Sequence, residues 1–305
     1  MSASKAADAR ADARADALAR LYDIDLLEDP GDLDLYLALA ARTGGPILEL
    51  AVGTGRLAVP LATAGHDVTG VDLDPAMLAR AATRARLEGA TVEQRVHLVH
   101  GDARWIRMPA AGRFRLAFVA LNSLLVMAGR ADQRAVLETL AVHLAPGGLA
   151  VVDIWLPDAE DLARYDGRLG LEYVRINPET AGTVTRIASA RHDAATATVE
   201  LTSIYDEGQP GASTVRWIRE DVLHLLGAAE LRVLAREAGL RVDVLAGSYD
   251  LEPLRAGDDR AVLVATVAGP DRPDRARRSS GREEIAEETA EETAAAGKDR
   301  PRGLV

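Results

Sequence analysis

Residues 49–56 read Glu-Leu-Ala-Val-Gly-Thr-Gly-Arg and continue an apolar run that begins at Pro46. A strand that empties into a glycine loop and then a helix brings free backbone N–H groups to the carboxyl end of a sheet, where small ligands bind in open α/β folds. Glycine permits the close approach such a ligand needs. Three carboxylates fall at comparable strand ends. Glu49 precedes the loop and can accept from backbone N–H groups or from a cationic ligand. Asp72 closes the run Asp67–Asp72, seventeen residues after Gly55, and can accept from ribose hydroxyls. Asp102, in Gly101-Asp102-Ala103, follows the run Val96–His100 and can accept from an exocyclic amine such as that of adenine. The first expectation is a nucleotide-like ligand.

The choice of nucleotide needs more than the loop. Residues 53–58, Gly-Thr-Gly-Arg-Leu-Ala, also satisfy the dinucleotide fingerprint G-x-G-x-x-A, which on its own is a weak signal. That fingerprint has no role for Glu49 and none for Gly101-Asp102-Ala103. A further motif, Leu144-Ala145-Pro146-Gly147-Gly148, precedes the apolar run Leu149–Ile154. Ala51 enters the glycine loop and is expected to hold a negative φ, since alanine has a Cβ to accommodate.

The elements that must position these residues alternate. Strands are expected at Pro46–Ala51, Asp67–Asp72, Val96–His100, Arg115–Leu121 and Leu149–Ile154. Helices are expected at Gly55–Ala64, at Pro75–Glu88 with Asp74 as its cap, and at Ala131–Leu144. Such alternation implies right-handed crossovers, a parallel sheet and helices on both faces. Past residue 170 three strands follow without an intervening helix, Thr183–Ala190, Thr196–Asp206 and Ser213–Arg219, which predicts an antiparallel meander. A helix over Glu220–Ala238 and strands at Leu240–Ala246 and Ala261–Val267 complete the pattern.

Both ends are low in complexity. Residues 7–17 repeat Ala-Asp-Ala-Arg, and residues 283–294 repeat Glu-Glu-x-Ala, so that like charges recur every four residues. Residues 1–19 are therefore expected to be a flexible segment, disordered or a fraying helix, and 269–305 a disordered tail, around a domain spanning 20–268. The formal net charge of −11 argues against a broad electrostatic grip on nucleic acid or an anionic membrane. The chain has no cysteine, which removes disulfides, thiolate ligands and cysteine catalysis. Without a leader-like or bilayer-length apolar stretch, a cytoplasmic protein is expected. The histidines and acids show no metal-ligand spacing.

Taken together, the four motifs resemble class I S-adenosylmethionine-dependent methyltransferases of the small-molecule type, over residues 20–268. Leu21-Tyr22-Asp23 and Gly247-Ser248-Tyr249-Asp250 resemble the sugar- and glycine-type N-methyltransferases within that group. The resemblance implies a Rossmann-like seven-strand sheet of order 3-2-1-4-5-7-6 with the last strand antiparallel. The meander, at about 180–219, would then be an insertion covering the substrate pocket. It implies S-adenosylmethionine as cofactor and a small molecule as methyl acceptor, on nitrogen or oxygen. Gly53 and Gly55 would line the methionine portion, and the Ala51 carbonyl would accept from its amino group. Asp72 would hold the ribose, Leu73 would pack on adenine, and Asp102 with the Ala103 backbone would read the adenine edge. Leu121 would approach the sulfonium, Tyr22 would close over the cofactor, and Arg42 would meet the methionine carboxylate.

Methyl transfer from a sulfonium is a displacement that needs alignment more than a base. No catalytic residue is singled out: for each of the six histidines a structural role is the default. The acceptor pocket is expected from Asn122, Ser123, Trp155, Pro157 and the meander. Trp155, Tyr205 and Trp217 could form an aromatic wall, with Arg186 and Arg216 facing an anionic group. A protein methyltransferase and an NAD-linked oxidoreductase remain alternatives.

Overall fold

A computed structural model describes residues 3–267 apart from 110, 210 and 212. In chain order the elements are α1 (Ala3–Asp25), α2 (Leu33–Thr43), β1 (Ile47–Leu50), α3 (Ala58–Thr63), β2 (Val68–Asp72), α4 (Pro75–Leu87), α5 (Ala90–Arg95), β3 (Val96–His100), β4 (Phe114–Val119), α6 (Arg130–His143) and β5 (Leu144–Trp155). Then follow α7 (Ala159–Arg164), β6 (Asp166–Ile176), β7 (Thr183–Asp193), β8 (Thr198–Gly208), β9 (Val215–His224), α8 (Ala228–Glu237), β10 (Leu240–Ala246) and β11 (Arg260–Val267).

The main sheet runs β10-β11-β5-β4-β1-β2-β3. Counting only its own strands, this is the expected order 3-2-1-4-5-7-6. β1 pairs in parallel with β2 and β4, and β11 runs antiparallel to β5 and β10. All four residues of β1 are buried, as are the last four of β4. A strand covered on both faces must be apolar throughout, which is why these runs read as unbroken hydrophobic stretches. Two apolar layers flank the sheet. One packs Leu48, Leu50 and Val119 against α6 and α8, and the other packs Ile47, Phe118 and Val151 against α2 and α3. In the second layer the Tyr36 and Phe118 rings lie 4.4 Å apart.

Local signals hold where chemistry dictates them. Asp74 accepts from the Ala76 N–H at 2.8 Å, ahead of the proline that opens α4. The second sheet departs from expectation in count. It has four antiparallel strands, β6-β7-β8-β9, spanning 166–224 rather than three over about 180–219. β6 carries glycines at 167 and 170 and exposes most of its residues, so its sequence lacks an alternating signature. β9 continues to His224, so the helix expected from Glu220 begins only at Ala228.

The N-terminal segment is also different from the flexible 1–19 that its repeats suggest. α1 is continuous to Asp25, and Ala17, Ala19, Leu21 and Ile24 are buried. Leu21 and Ile24 pack on the inner face of the second sheet with Val184 and Tyr205. Alanine propensity sustains the helix and tertiary contacts outweigh the like-charge spacing. The segment 269–305 lies outside the described residues. Among the described residues, no helix is long and apolar enough to cross a membrane.

Candidate functional site

Four strand ends of the main sheet frame a cavity of about 400 Å³. β1 delivers the glycine loop to it. The Val52 N–H donates to the Val71 carbonyl at 3.0 Å, tying the loop to β2. Ala51, Gly53 and Gly55 then all hold positive φ, at 57°, 55° and 78°. The expectation of a negative φ at Ala51 is therefore wrong. The chain must turn sharply off a buried strand there, and alanine accepts a left-handed strain of about 1 kcal/mol. Gly55 does not line the cavity: a Cβ on it would stand 3.1 Å from the Ala81 Cβ, so this glycine lets the loop pack on α4.

Asp72 ends β2 at the cavity wall. Its Oδ2 accepts from the Gly53 N–H at 2.8 Å and its Oδ1 from the Asp74 N–H at 2.9 Å. Burial pushes its carboxyl up, and these N–H donors oppose that shift. One N–H contact per oxygen leaves acceptor capacity for a ligand's hydroxyls. Next to it, Leu73 is 63% exposed and lines the cavity, an apolar platform at its edge. Asp102 and Ala103, after β3, face it.

Asp102 is engaged by its own neighbour. Arg104 reaches back to both its oxygens, with Nη2 at 2.6 Å, and Arg104 also meets Asp132, in the first turn of α6, at 2.5 Å. The Arg104 guanidinium holds the Asp102 carboxyl below its usual range. Arg104 and Asp132 line the cavity, and neither stands out in the sequence reading; the basic residue two positions after Asp102 is the signal that was available.

The roof comes from outside the main sheet. Tyr22, near the end of α1, lies 3.7 Å (ring Cε1) from where a Gly53 Cβ would be. Burial pushes its hydroxyl up, so it is a neutral donor. Arg219 of β9 lines the cavity with its guanidinium 5.9 Å from the Tyr22 ring centroid and its Nε 2.7 Å from Asp221. The remaining wall is the apolar stretch Val126-Met127-Ala128, with Ser123 and Met77. Arg219, Met77 and Met127 carry no local motif; tertiary structure alone brings them here.

Glu49 stands behind the loop, 4% exposed, and its Oε2 has no hydrogen-bond partner. Burial pushes its carboxyl well up, opposed by Arg56 and reinforced by the charges of Asp32 and Asp72. Arg56 is held bidentately by buried Asp32 at 2.6 Å.

Other expected residues are elsewhere. Arg42 is exposed at the last turn of α2, before β1 begins, and so at the opposite end of the sheet from the cavity. Leu121 does not line the cavity; at φ 48° its N–H donates to buried Asp153 at 3.2 Å, which also accepts from Tyr36 and Tyr249. Asn122 accepts from the Trp155 N–H, and Trp155 packs on Tyr165. Tyr205 and Arg186 are buried around Asp25, Trp217 donates to Glu207, and Arg216 pairs with Asp206. Tyr205 and Trp217 are cross-strand partners on the inner face, and neither they nor Trp155 line the cavity.

A family model described as a methyltransferase domain matches residues 47–148, the stretch that supplies the glycine loop, Asp72 and Asp102. Over that stretch the chain is similar to a methyltransferase domain, and the strand order of the main sheet agrees with the expected one. It is similar to the structure of the CcbJ methyltransferase from Streptomyces caelestis, with a TM-score of 0.67 and 25% identity, covering 79% of this chain and 97% of that one. It is 28% identical to a cypemycin N-terminal methyltransferase from a Streptomyces species, over 72% of this chain and 82% of the relative. It is 36% identical to a carboxy-S-adenosyl-L-methionine synthase from Chromohalobacter salexigens over 44% of this chain, and there it spans about half the relative's length, 49%. An acidic group with an orphaned buried oxygen beside a loop of left-handed residues suits the cationic end of S-adenosylmethionine.

Proposed function

We propose that this chain moves the methyl group of S-adenosylmethionine to the nitrogen of a small-molecule amine. The observation that carries the reading is a cavity lined both by polar strand ends and by an apolar stretch. The strand ends bring the Gly53 backbone, Asp72, Leu73, Asp102 and Ala103, with Arg104 and Asp132 beside them. There Asp72 holds the ribose hydroxyls, Leu73 packs on the base and Asp102 with Ala103 reads its edge. Glu49 and Tyr22 face the methionine end, and Arg219 replaces Arg42 as the cation near the methionine carboxylate.

The same cavity is lined by the apolar stretch Val126–Ala128 and by Ser123. An apolar surface disfavours an ammonium and favours the neutral amine, whose lone pair is the nucleophile. The cofactor supplies an already activated methyl, so the protein's task is alignment and exclusion of water. The cypemycin relative, named for methyl transfer to an N-terminus, supports the same acceptor atom.

The test is calorimetric titration with S-adenosylhomocysteine and, separately, NAD, followed by mass spectrometry of reactions with S-adenosylmethionine and panels of amines and phenols. Expected are binding of the homocysteine compound, at least about tenfold weaker in Asp72→Ala, no NAD binding, and methylated amines. NAD binding, or transfer to phenols alone, overturns the proposal.

A further inference from the structure

The second sheet buries one face and leaves the other bare. Its inner face carries Val184, Arg186, Ser203 and Tyr205, all buried, toward α1 and the cavity. Across the outer face runs one row of register partners, Leu171, Ile187, Ile204 and Ile218, one from each strand. Leu171 is 66% exposed and Ile218 43%. Leu169, Val174, Ile176 and Val222 extend the apolar surface on the same face, each exposed. A contiguous apolar patch of this kind on a soluble protein marks an interaction site. Toward its ends this face carries the pairs Arg191 with Glu200 and Arg216 with Asp206, and on the edge strand β9 Glu220 stands between Ile218 and Val222. An apolar centre with a polar rim is the anatomy of a protein interface.

We propose that this face is the interface of a two-fold dimer of the chain itself. The register argues for a second copy. A two-fold axis along the strands, between β7 and β8, exchanges the two central strands. Ile187 of one protomer then lies over Ile204 of its partner, and Leu171 over Ile218, so the row meets itself. The same operation sets Arg191 of one protomer over Glu200 of its partner, and the reverse, so the rim is complementary as well. Aligned packing of two sheets about 10 Å apart is a standard arrangement. Four strands of ten or eleven residues give a face of roughly 650 Å², close to the ~800 Å² per partner of a stable complex. The inner face of the same sheet carries Arg219, so a dimer would stiffen the roof of the cavity from behind.

Sedimentation velocity of the full chain over a range of micromolar concentrations tests this. The expected species is twice the 32.4 kDa protomer. Leu171→Asp combined with Ile218→Asp should weaken the dimer by more than about tenfold while S-adenosylhomocysteine binding shows the fold intact. Arg191→Glu should also weaken it, and adding Glu200→Arg should restore it. Val233→Asp, in the separate exposed groove between α6 and α8, should leave the dimer unchanged. A monomer at every concentration, a dimer that survives the double substitution, or one broken by Val233→Asp instead would each overturn the proposal.

Discussion

Glu49 is a carboxyl group kept in the interior with one oxygen unanswered. Its raised pKa makes it a stability term with a definite sign. A carboxyl whose folded pKa lies above its unfolded one contributes fully at pH below the ordinary carboxylate value, and that contribution is lost as pH rises toward the raised value. Glu49→Gln removes the titration and keeps the shape. The ligand-free variant should therefore gain melting temperature relative to wild type as pH rises from about 5 to about 8, with little difference near pH 4. The same substitution should weaken S-adenosylhomocysteine binding if, as proposed, Glu49 faces the ligand's ammonium, because a glutamine cannot ionise against it. Thermal melts across pH in the absence of ligand decide the first point; a pH-independent gap would show that Glu49 titrates normally.

Among the elements, α1 changes role most between sequence and structure. Asp25, near its end, accepts from the Tyr173 hydroxyl at 2.6 Å and the Tyr205 hydroxyl at 2.7 Å, and pairs with Arg186 at 3.2 Å. Two residues earlier, Asp23 accepts from Thr54 at 2.6 Å and binds Arg80 and Arg84 of α4. α1 is thus bolted to the second sheet on one side and to the main-sheet core on the other. Asp25 and Arg186 are both at least nine-tenths buried. Asp25→Ala should cost about 3–5 kcal/mol in urea unfolding, because it deletes one member of a buried charge pair. Asp25→Asn, which keeps an acceptor for a tyrosine, should cost less. A loss under about 1 kcal/mol for the alanine variant would mean that the pair behaves as a surface bridge.

What was legible follows from the same distinction. The main sheet could be read because its strands are buried on both faces and separated by helices, so hydrophobic run length and punctuation encode it. Gly53, Asp72, Leu73 and Asp102 could be read because one strand end fixes each of them. β6 could not, since its outer face is solvent-exposed and its pattern is broken by glycine. Nor could the roof. Arg219 lies far along the chain from Tyr22 and meets it only through the packing of β9 on α1. The error at Arg42 has the same origin: its place in sequence just before β1 puts it at the wrong end of that strand.

At the scale of the whole molecule, the cavity is a joint between three bodies. The main sheet supplies its floor, α1 supplies Tyr22, and the second sheet supplies Arg219. Arg20 of α1 also pairs with Glu207 of β8, and Arg14 donates to the Ile218 carbonyl on β9 at 2.8 Å. A ligand that touches all three bodies binds only the closed arrangement, and mass action then stabilises that arrangement by about 2.7 kcal/mol at a ligand concentration a hundred times Kd. Local opening of α1 and β9 costs less than global unfolding in the free protein, so their amides should gain the most protection when S-adenosylhomocysteine is added. Hydrogen exchange should slow at 17–25 and 215–224 as well as in the glycine loop. β10 and β11, at the far edge of the main sheet, should change little. Protection confined to the loop and β2 would mean that the floor alone holds the ligand. In that event α1 and the second sheet serve the acceptor, and Tyr22→Phe and Arg219→Ala should leave cofactor affinity unchanged.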